Sequence, residues 1–488
     1  MLESAQIDAI VEQVMSELGQ GERVRHGPTP APVTTLLPPE PARSLQHGDN
    51  LFPNVDRAVA AAQGAFEALQ ALPLEVRESM ISQIRRLARE NAQVLAYEAW
   101  KETGMGRYED KIQKNLLNAN KTPGTEILTP TSWSGDRGLT LTEWAPFGVI
   151  GAITPSTNPT STLICNTIAM VAAGNAVVFN AHPGSKGASN HTAQIMNEAI
   201  VEGGGPPNLV CAIAEPTIET ATDLMHHKGV RILTVTGGIG VVRAAMSSGK
   251  RAIAAGPGNP PVLVDETADL EQAGRDVVFG ASFDNNIICT DEKTLIAVDS
   301  IADELKQVMA RYGAYELDGG ELDRLLKVIY EEVPPPGKHG VMNKAFIGQN
   351  ANVILREIGI EVGDEVRLIL ADVPNDHPLV WSEQMMPVFP LTRVANAQDG
   401  IRLAVDSEHG FRHTAVIHSK NIDHMTEMAR AINTSIFVKN GPSLAGLGYG
   451  GEGFCSFTIA SPTGEGMTDP RTFSRERRCV MVDHFRIV

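Results

Sequence analysis

No run of about eighteen apolar residues occurs in the chain, so the sequence offers no membrane-spanning helix. Cysteine is sparse, with five residues at 165, 211, 289, 455 and 479. An odd count spread this widely excludes a disulfide framework and suits a reducing compartment. Positive charge is in deficit: 41 Lys and Arg against 58 Asp and Glu give a formal net charge of −17. Such a chain repels a phosphate backbone, which excludes general nucleic-acid binding. An anionic ligand would need a local basic or N–H-lined site. The N-terminus lacks the basic start and apolar core of a secretory signal, and it lacks the Arg-rich, acid-poor composition of a transit peptide. No internal repeat of fixed period is present.

What is present is enough for a large core. The 488 residues allow about two or three domains. Apolar residues are 42% and charged residues 20%, as in ordinary globular proteins. Residues 1–18 read as a separate amphipathic helix, because Ile7, Ile10, Val11, Val14, Met15 and Leu18 recur at steps of three and four. Residues 19–50 read as a semi-extended, flexible linker broken by Pro28, Pro30, Pro32, Pro38, Pro39 and Pro41. A tethered apolar stripe calls for burial, and it reads as docked on its own body, frayed, or packed against another protein. Its acidic opposite face disfavours an anionic membrane.

Residues 54–103 carry helical periodicity, which Gly104 and Gly106 end. From about 125 the pattern becomes strand-like, with Leu139, Leu141 and Trp144 spaced for a ribbon. Short apolar runs at 148–153, 175–179, 209–212 and 232–235 then alternate with helical stretches at 162–173, 188–201, 217–226 and 240–248. This predicts an α/β fold with a parallel sheet covered on both faces, in the doubly wound manner of nucleotide-binding domains. A second alternating region runs from Pro261 to about Val438, with Pro334, Pro335 and Pro336 in an exposed loop. The β-rich end, with Cys479–Val482 and Phe485–Val488, suits addition to a neighbour's sheet and hence an oligomer.

Thr236-Gly237-Gly238-Ile239-Gly240 follows one apolar run and opens a helix, and it reads equally as a tight turn or a diphosphate loop. Cys165 and Cys211 lie in apolar runs and suit the core. Cys289 differs: it follows Asn285-Asn286-Ile287-Ile288 and precedes Thr290-Asp291-Glu292-Lys293, where an apolar run meets polar residues. That setting suits a nucleophilic thiol. His409 and His413 are four apart, but Gly410 weakens the helix a metal pair needs and no further ligand completes a site, so no metal is expected. His413 reads as a proton carrier, a substrate contact or a hydrogen-bonded loop histidine. His226 and His227 read as a solvated helix end.

Four segments together resemble the aldehyde dehydrogenase superfamily over roughly residues 51–488. They are Thr154-Pro155-Ser156-Thr157-Asn158-Pro159, Val235-Thr236-Gly237-Gly238, Gly256-Pro257-Gly258-Asn259-Pro260-Pro261 about thirty residues before Cys289, and Glu383-Gln384-Met385-Met386-Pro387-Val388. The resemblance implies a Rossmann-type cofactor domain from 51–124 and 143–254, an α/β catalytic domain at 255–442 and a β-arm for oligomerisation from 125–142 and 443–488. It implies Cys289 as nucleophile and Asn158 as oxyanion donor. Thr154, Pro155, Thr236, Gly237, Gly238, Gly256 and Glu383 would contact NAD, and His413 the substrate.

The departures point to the CoA-acylating branch. The family's general-base Glu falls on Ala255, which cannot take a proton from water. The family's ribose-binding Lys has no counterpart in 177–184, and Glu408-His409-Gly410-Phe411-Arg412-His413-Thr414 is similar to that branch. A thiol co-substrate, coenzyme A, ionises far more readily than water and needs less help. The leader and linker resemble the encapsulation segments of branch members from bacterial microcompartments. The resemblance therefore implies a lumenal location, a shell-protein partner for 1–18, and a dimer or tetramer. Among those members the similarity favours the propionaldehyde enzymes, with the acetaldehyde type also similar. A hydrolytic enzyme making the free acid, an acyl-phosphate reductase and a decayed scaffold are the competing readings.

Overall fold

The structure is a computed structural model that describes Pro39, Leu45, Gln46 and residues 48–488. The leader helix and most of the linker lie outside the described residues. The end of the segment read as flexible is fixed instead. Asn50 is fully buried and its Nδ2 donates to the carbonyls of Ala193 and Val210, both at 2.9 Å. The Gln194 amide reaches Gly48 O at 2.9 Å. A buried amide with two satisfied acceptors is an anchor, so the fixed chain begins before residue 50.

Two parallel sheets organise the rest. The first has six strands in the order Leu51–Phe52, Val210–Ile213, Ala176–Ala181, Val149–Thr154, Val230–Thr236 and Arg251–Ala255. Three of them are buried at every position, as parallel strands covered on both faces must be. Helices Pro159–Ala172, Lys186–Glu202, Ile218–His226 and Ile239–Ser247 connect them, close to the expected spans. Their starts have chemical causes: Pro159 opens the first at its N1 position, and Thr217 with Thr220 makes a reciprocal capping box on the third. The strand order reverses between Val149–Thr154 and Val230–Thr236, which creates a crevice beyond their carboxyl ends.

The second sheet has seven strands, in the order Ala314–Glu316, Leu368–Asp372, Val388–Val394, Thr294–Val298, Pro261–Val264, Thr414–His418 and Ile436–Lys439. Every pairing in it is parallel. The short link 256–260 carries the chain from the first sheet to the second. Among the described residues no helix is long and apolar enough to cross a membrane.

A three-stranded antiparallel ribbon joins Ser474–Val482, Gly138–Pro146 and Thr131–Gly135. Gly138 turns its hairpin at φ 110°, and a Cβ there would lie 1.9 Å from Met481 O, so only glycine fits. Leu139 and Leu141 share one face, but Trp144 falls on the other because side chains alternate. The arm is narrower than 443–488. Leu444, Leu447, Cys455, Phe457 and Ile459 are buried in the core that covers the second sheet, and Ala460 and Phe473 in that of the first. The sequence reading also passed over the helix Tyr108–Lys121, whose buried face includes Lys111, Lys114, Asn115 and Asn118. Polar residues on the inner face erased the apolar stripe that would have revealed it.

Candidate functional site

The first sheet ends in Thr154, Thr236 and Ala255 at the crevice. Thr154 Oγ1 is buried without a partner. Thr236 Oγ1 meets Thr458 Oγ1 at 3.3 Å, and Gly237 N donates to Ala255 O at 3.2 Å. Gly238 starts the helix Ile239–Ser247 with no side-chain cap, and nothing stands within 4 Å of where its Cβ would be. The turn therefore presents uncapped helix N–H groups to open space, a setting made for an anionic group. Gly256 is held tightly: a Cβ would come 3.0 Å from Pro462 Cγ.

Cys289 enters from the loop before Thr294–Val298. Asp284, Asn285 and Asn286 take φ of 45°, 55° and 64°, three successive left-handed residues. Asn and Asp are the side chains that tolerate this region. Asn285 Nδ2 donates to Gly348 O at 2.8 Å and to Asn350 Oδ1 at 2.7 Å, and Asn286 Nδ2 to Ala281 O and Glu292 O, both at 2.8 Å. The residues after the thiol are not a solvated loop, as their polarity suggested. From Gly280 to Val298 every residue is buried except Cys289, which is partly exposed.

Most of the polar residues are buried with hydrogen-bond partners, although Thr290 Oγ1 and Asp291 Oδ1 have none. Lys293 Nζ donates to Asn286 O at 2.6 Å, Asn286 Oδ1 at 2.7 Å and Ile288 O at 3.2 Å. Asp291 Oδ2 accepts from Ile288 N at 3.1 Å. The Glu292 carboxylate accepts from Ser443 N and Ser443 Oγ, both at 2.8 Å, and burial pushes its pKa up to about 7. Burial, then the negative charge of Glu383, pushes the Cys289 thiol up to about 12, and Lys293 opposes the rise. Sequence reasoning missed Lys293. Its only signal was a cation four residues from the thiol among acids.

Two further residues close on Cys289 through glycine. A Cβ on Gly258 would lie 2.8 Å from Cys289 O and 3.1 Å from His413 Cγ, so the thiol loop and the imidazole both pack on this glycine. His413 is fully buried. Its backbone N donates to Glu408 Oε1 and its Nδ1 pairs with Thr414 Oγ1, both at 2.9 Å, while Nε2 has no partner. Burial, with help from the Lys293 charge, takes its pKa down to about 4, so the ring is neutral. His409 instead bonds Trp381 O at 2.9 Å, so the two histidines take different partners. His226 is exposed, whereas His227 bonds Asp56 at 3.1 Å.

Glu383 is partly exposed. Burial raises its carboxyl above the usual range, and Lys293 and the Gly258 N–H pull it back. Asn158 is buried at the N-terminus of Pro159–Ala172, where its Oδ1 accepts from Lys114 Nζ at 2.7 Å and its Nδ2 donates to Thr157 Oγ1 at 3.1 Å. Cys289, Glu383, Gly258 and His413 thus form one cluster. Thr154, Thr236, Gly237, Gly238 and Gly256 lie along the adjoining strand ends. A cavity of about 480 Å³ has Asp110, Phe279, Ser282, Arg367 and Tyr449 in its wall but not Cys289. It meets the thiol loop through Asp110, whose Oδ2 accepts from Asp284 N at 2.9 Å.

Known proteins resemble this chain in sequence and in fold. The model of the aldehyde dehydrogenase family matches residues 46–320 and 367–453. The acetylating acetaldehyde dehydrogenase of Salmonella typhimurium is 50% identical over 450 residues, covering 92% of this chain and 96% of its own. The crystal structure of Rhodopseudomonas palustris propionaldehyde dehydrogenase with bound propionyl-CoA superimposes with a TM-score of 0.86 at 46% identity, covering 89% of this chain and 96% of that one. A propionaldehyde dehydrogenase from the fucose-utilisation bacterial microcompartment of Clostridium phytofermentans gives 0.87 at 46% identity, covering 91% of this chain and 100% of that one. Matched across most of its length in sequence and in fold, the chain belongs to the aldehyde dehydrogenase family.

Proposed function

We propose that the protein is a CoA-acylating aldehyde dehydrogenase that converts a short-chain aldehyde, propionaldehyde by preference, with NAD and coenzyme A into acyl-CoA and NADH. The observation that carries this reading is the lone opening at Cys289 in an otherwise buried segment, with Ala255 where a water-activating carboxylate would stand. Similarity to an acetylating enzyme and to one solved with propionyl-CoA supports it.

The crevice suits a nicotinamide dinucleotide. Thr154 Oγ1 is an orphaned buried hydroxyl, and Gly237 and Gly238 leave the helix N-terminus open for a diphosphate. Thr236, Pro155 and Gly256 would line that diphosphate, and Glu383 would hold the nicotinamide ribose. When bound, NAD supplies the hydride acceptor. The chain does the rest. The Cys289 thiolate adds to the aldehyde carbon and gives a thiohemiacetal oxyanion. The Asn158 amide and the Cys289 backbone N–H donate to that oxygen, and one such donor contributes roughly 3–4 kcal/mol. Loss of hydride leaves an acyl thioester on Cys289. The CoA thiol gives its proton to solvent, its thiolate attacks this acyl carbon, and the Cys289 thiolate leaves and regains a proton from solvent. One thioester replaces another, so the step conserves its energy. His413 Nε2 is neutral and accepts a hydrogen bond from the incoming thiol. At about 4 its pKa is too low for it to hold the proton of a thiol near its ordinary value of about 8.5, so it orients the sulfur.

One observation favours a hydrolytic second reading: the Glu383 charge helps raise the Cys289 thiol, so a carboxylate lies in the neighbourhood of the sulfur. Assaying aldehyde-dependent NADH formation with and without CoA separates the two. The proposal expects steady turnover only with CoA, kcat/KM higher for propionaldehyde than for acetaldehyde, and no turnover by Cys289→Ala. Steady CoA-independent turnover would establish the free-acid product instead, and an active Cys289→Ala would sink both.

Residues 1–18 would bind a shell protein and place the enzyme in a microcompartment lumen. The amphipathic stripe after a proline-broken tether supports this, as does similarity to a microcompartment enzyme. Deleting 1–18 is expected to leave kcat intact and to abolish co-sedimentation with assembled shells. Undiminished co-sedimentation would remove the leader from the account. The ribbon would pair two copies as the core of a dimer or tetramer.

A further inference from the structure

The helix Tyr108–Lys121 carries two buried lysines one turn apart. Lys111 and Lys114 are each 2% exposed, and both reach Oδ2 of the fully buried Asp284, Lys111 at 3.1 Å and Lys114 in a shorter contact. The other oxygen of Asp284 accepts from Arg107 N at 2.7 Å. One lysine is enough to neutralise one carboxylate. The second has other carboxylates close by, since Asp110 accepts from Asp284 N at 2.9 Å and the Lys114 charge acts to lower Asp291. Charge balance alone does not fix where Lys114 points, which leaves room for a further role.

Its remaining contact supplies one. Lys114 Nζ donates to Asn158 Oδ1 at 2.7 Å. A side-chain amide has an accepting end and a donating end, and it can be turned by 180°. Turning Asn158 would put its N–H₂ against an ammonium, two donors face to face in a buried place, at the cost of unmade bonds on both sides. The ammonium therefore pins the oxygen and turns the N–H₂ away. Thr157 Oγ1 takes one N–H, and among the described residues the other has no partner. A cation on the oxygen also polarises the amide and makes its N–H a stronger donor. Asp284, which holds Lys114, lies on the chain leading to Cys289, and the Lys114 charge also bears on Asp291 beyond the thiol. The same ion pair thus ties the amide to the loop that carries the sulfur.

We propose that Lys114 is a positioning residue that fixes the Asn158 amide with its N–H₂ toward the oxyanion formed on Cys289. This rests on the reading of Asn158 as the oxyanion donor. The test is a double-mutant cycle of Lys114→Met and Asn158→Ala in the full chain, read as the single-turnover burst of NADH with propionaldehyde and NAD. Lys114→Met is expected to slow the burst roughly 100-fold with little change in the aldehyde KM, as a misplaced group does. Asn158→Ala is expected to slow it roughly 100- to 1000-fold. The double variant should be no slower than Asn158→Ala alone, because Lys114 acts only through that amide. Alkylation of Cys289 by iodoacetamide should be nearly unchanged in Lys114→Met, since the lysine serves the oxygen and not the sulfur.

Losses that multiply in the double variant, or a Lys114→Met burst within about twofold of wild type, would overturn the proposal. Should Lys114→Met not fold, Lys114→Ala takes its place in the same cycle, and the same loss and the same non-additivity are required of it. A wild-type protein that shows no burst at all would instead remove the aldehyde-oxidising reading on which Asn158 depends, a result distinct from either of the others.

Discussion

Cys289, the nucleophile we propose, is held in a latent state. Its thiol is held well above the ordinary value, first by burial and next by Glu383, with Lys293 working in the other direction. The free protein therefore holds the sulfur protonated near neutrality. A raised thiol pKa means the thiolate fraction keeps growing with pH until the pH reaches about 12. Alkylation of Cys289 by iodoacetamide should accordingly climb with pH and show no plateau in the mildly alkaline range. Replacing Glu383 by Gln removes a negative charge beside the sulfur and favours the thiolate, so the pKa falls and alkylation at a fixed alkaline pH accelerates. One pKa unit would correspond to roughly tenfold. The burial contribution survives, so the variant should still react more slowly than a free thiol with a pKa of about 8.5. A plateau at neutral pH in the wild type, or no acceleration in Glu383→Gln, would show that this carboxylate does not govern the sulfur. The same arrangement suits the proposed chemistry, because a cationic nicotinamide arriving at Glu383 would relieve the repulsion only when cofactor is bound.

At the scale of elements, what the sequence disclosed follows from how each element is covered. The strands Val149–Thr154, Ala176–Ala181 and Val210–Ile213 are buried on both faces, so they read as unbroken apolar runs whose edges fall within a residue or two of the observed ones. Thr236-Gly237-Gly238 was legible as a turn into a helix because glycines follow an apolar run there, and the helix start carries no side-chain cap. Cys289 stood out by its flanking residues, although for a partly mistaken reason: Thr290–Lys293 are polar yet buried, with Asp291, Glu292 and Lys293 hydrogen-bonded to the surrounding chain. The helix Tyr108–Lys121 stayed hidden because its inner face spends lysine and asparagine on partners far along the chain. Lys114 meets Asp284 across 170 residues, and Asn115 Oδ1 accepts from Thr160 Oγ1 across 45. Periodicity rules see only apolarity, so a helix that buries ion pairs reads as loop or as solvated surface. The Gly258 contact with Cys289 and His413 was equally invisible, since it joins a linker, a thiol loop and a strand entry that meet only after both sheets have formed.

For the whole molecule, the ribbon is the element that a single chain leaves unfinished. Ser474–Val482 pairs along its full length with Gly138–Pro146, and no strand among the described residues pairs with its other edge. Every residue of this strand after Ser474 is exposed, including Val480 at 56% and Val482 at 62%. A long, exposed edge with apolar side chains is a template for another strand, and folded proteins cover such edges. The occupant we propose is a second copy of this chain, because the apolar tail Phe485, Ile487 and Val488 continues the same uncovered stretch and each copy would offer the same edge to the other. Val480 and Val482 share a face of the strand, and neither supports the fold of its own subunit, so placing Glu at both should spare the monomer while burying charge in the pair. The expected outcome is a light-scattering mass that falls from a dimer or tetramer to that of one 52.3 kDa chain, with the far-ultraviolet circular dichroism unchanged. An unaltered assembly in Val480→Glu/Val482→Glu would mean that copies associate through another surface. A wild-type protein that is already monomeric would leave this edge without the partner assigned to it.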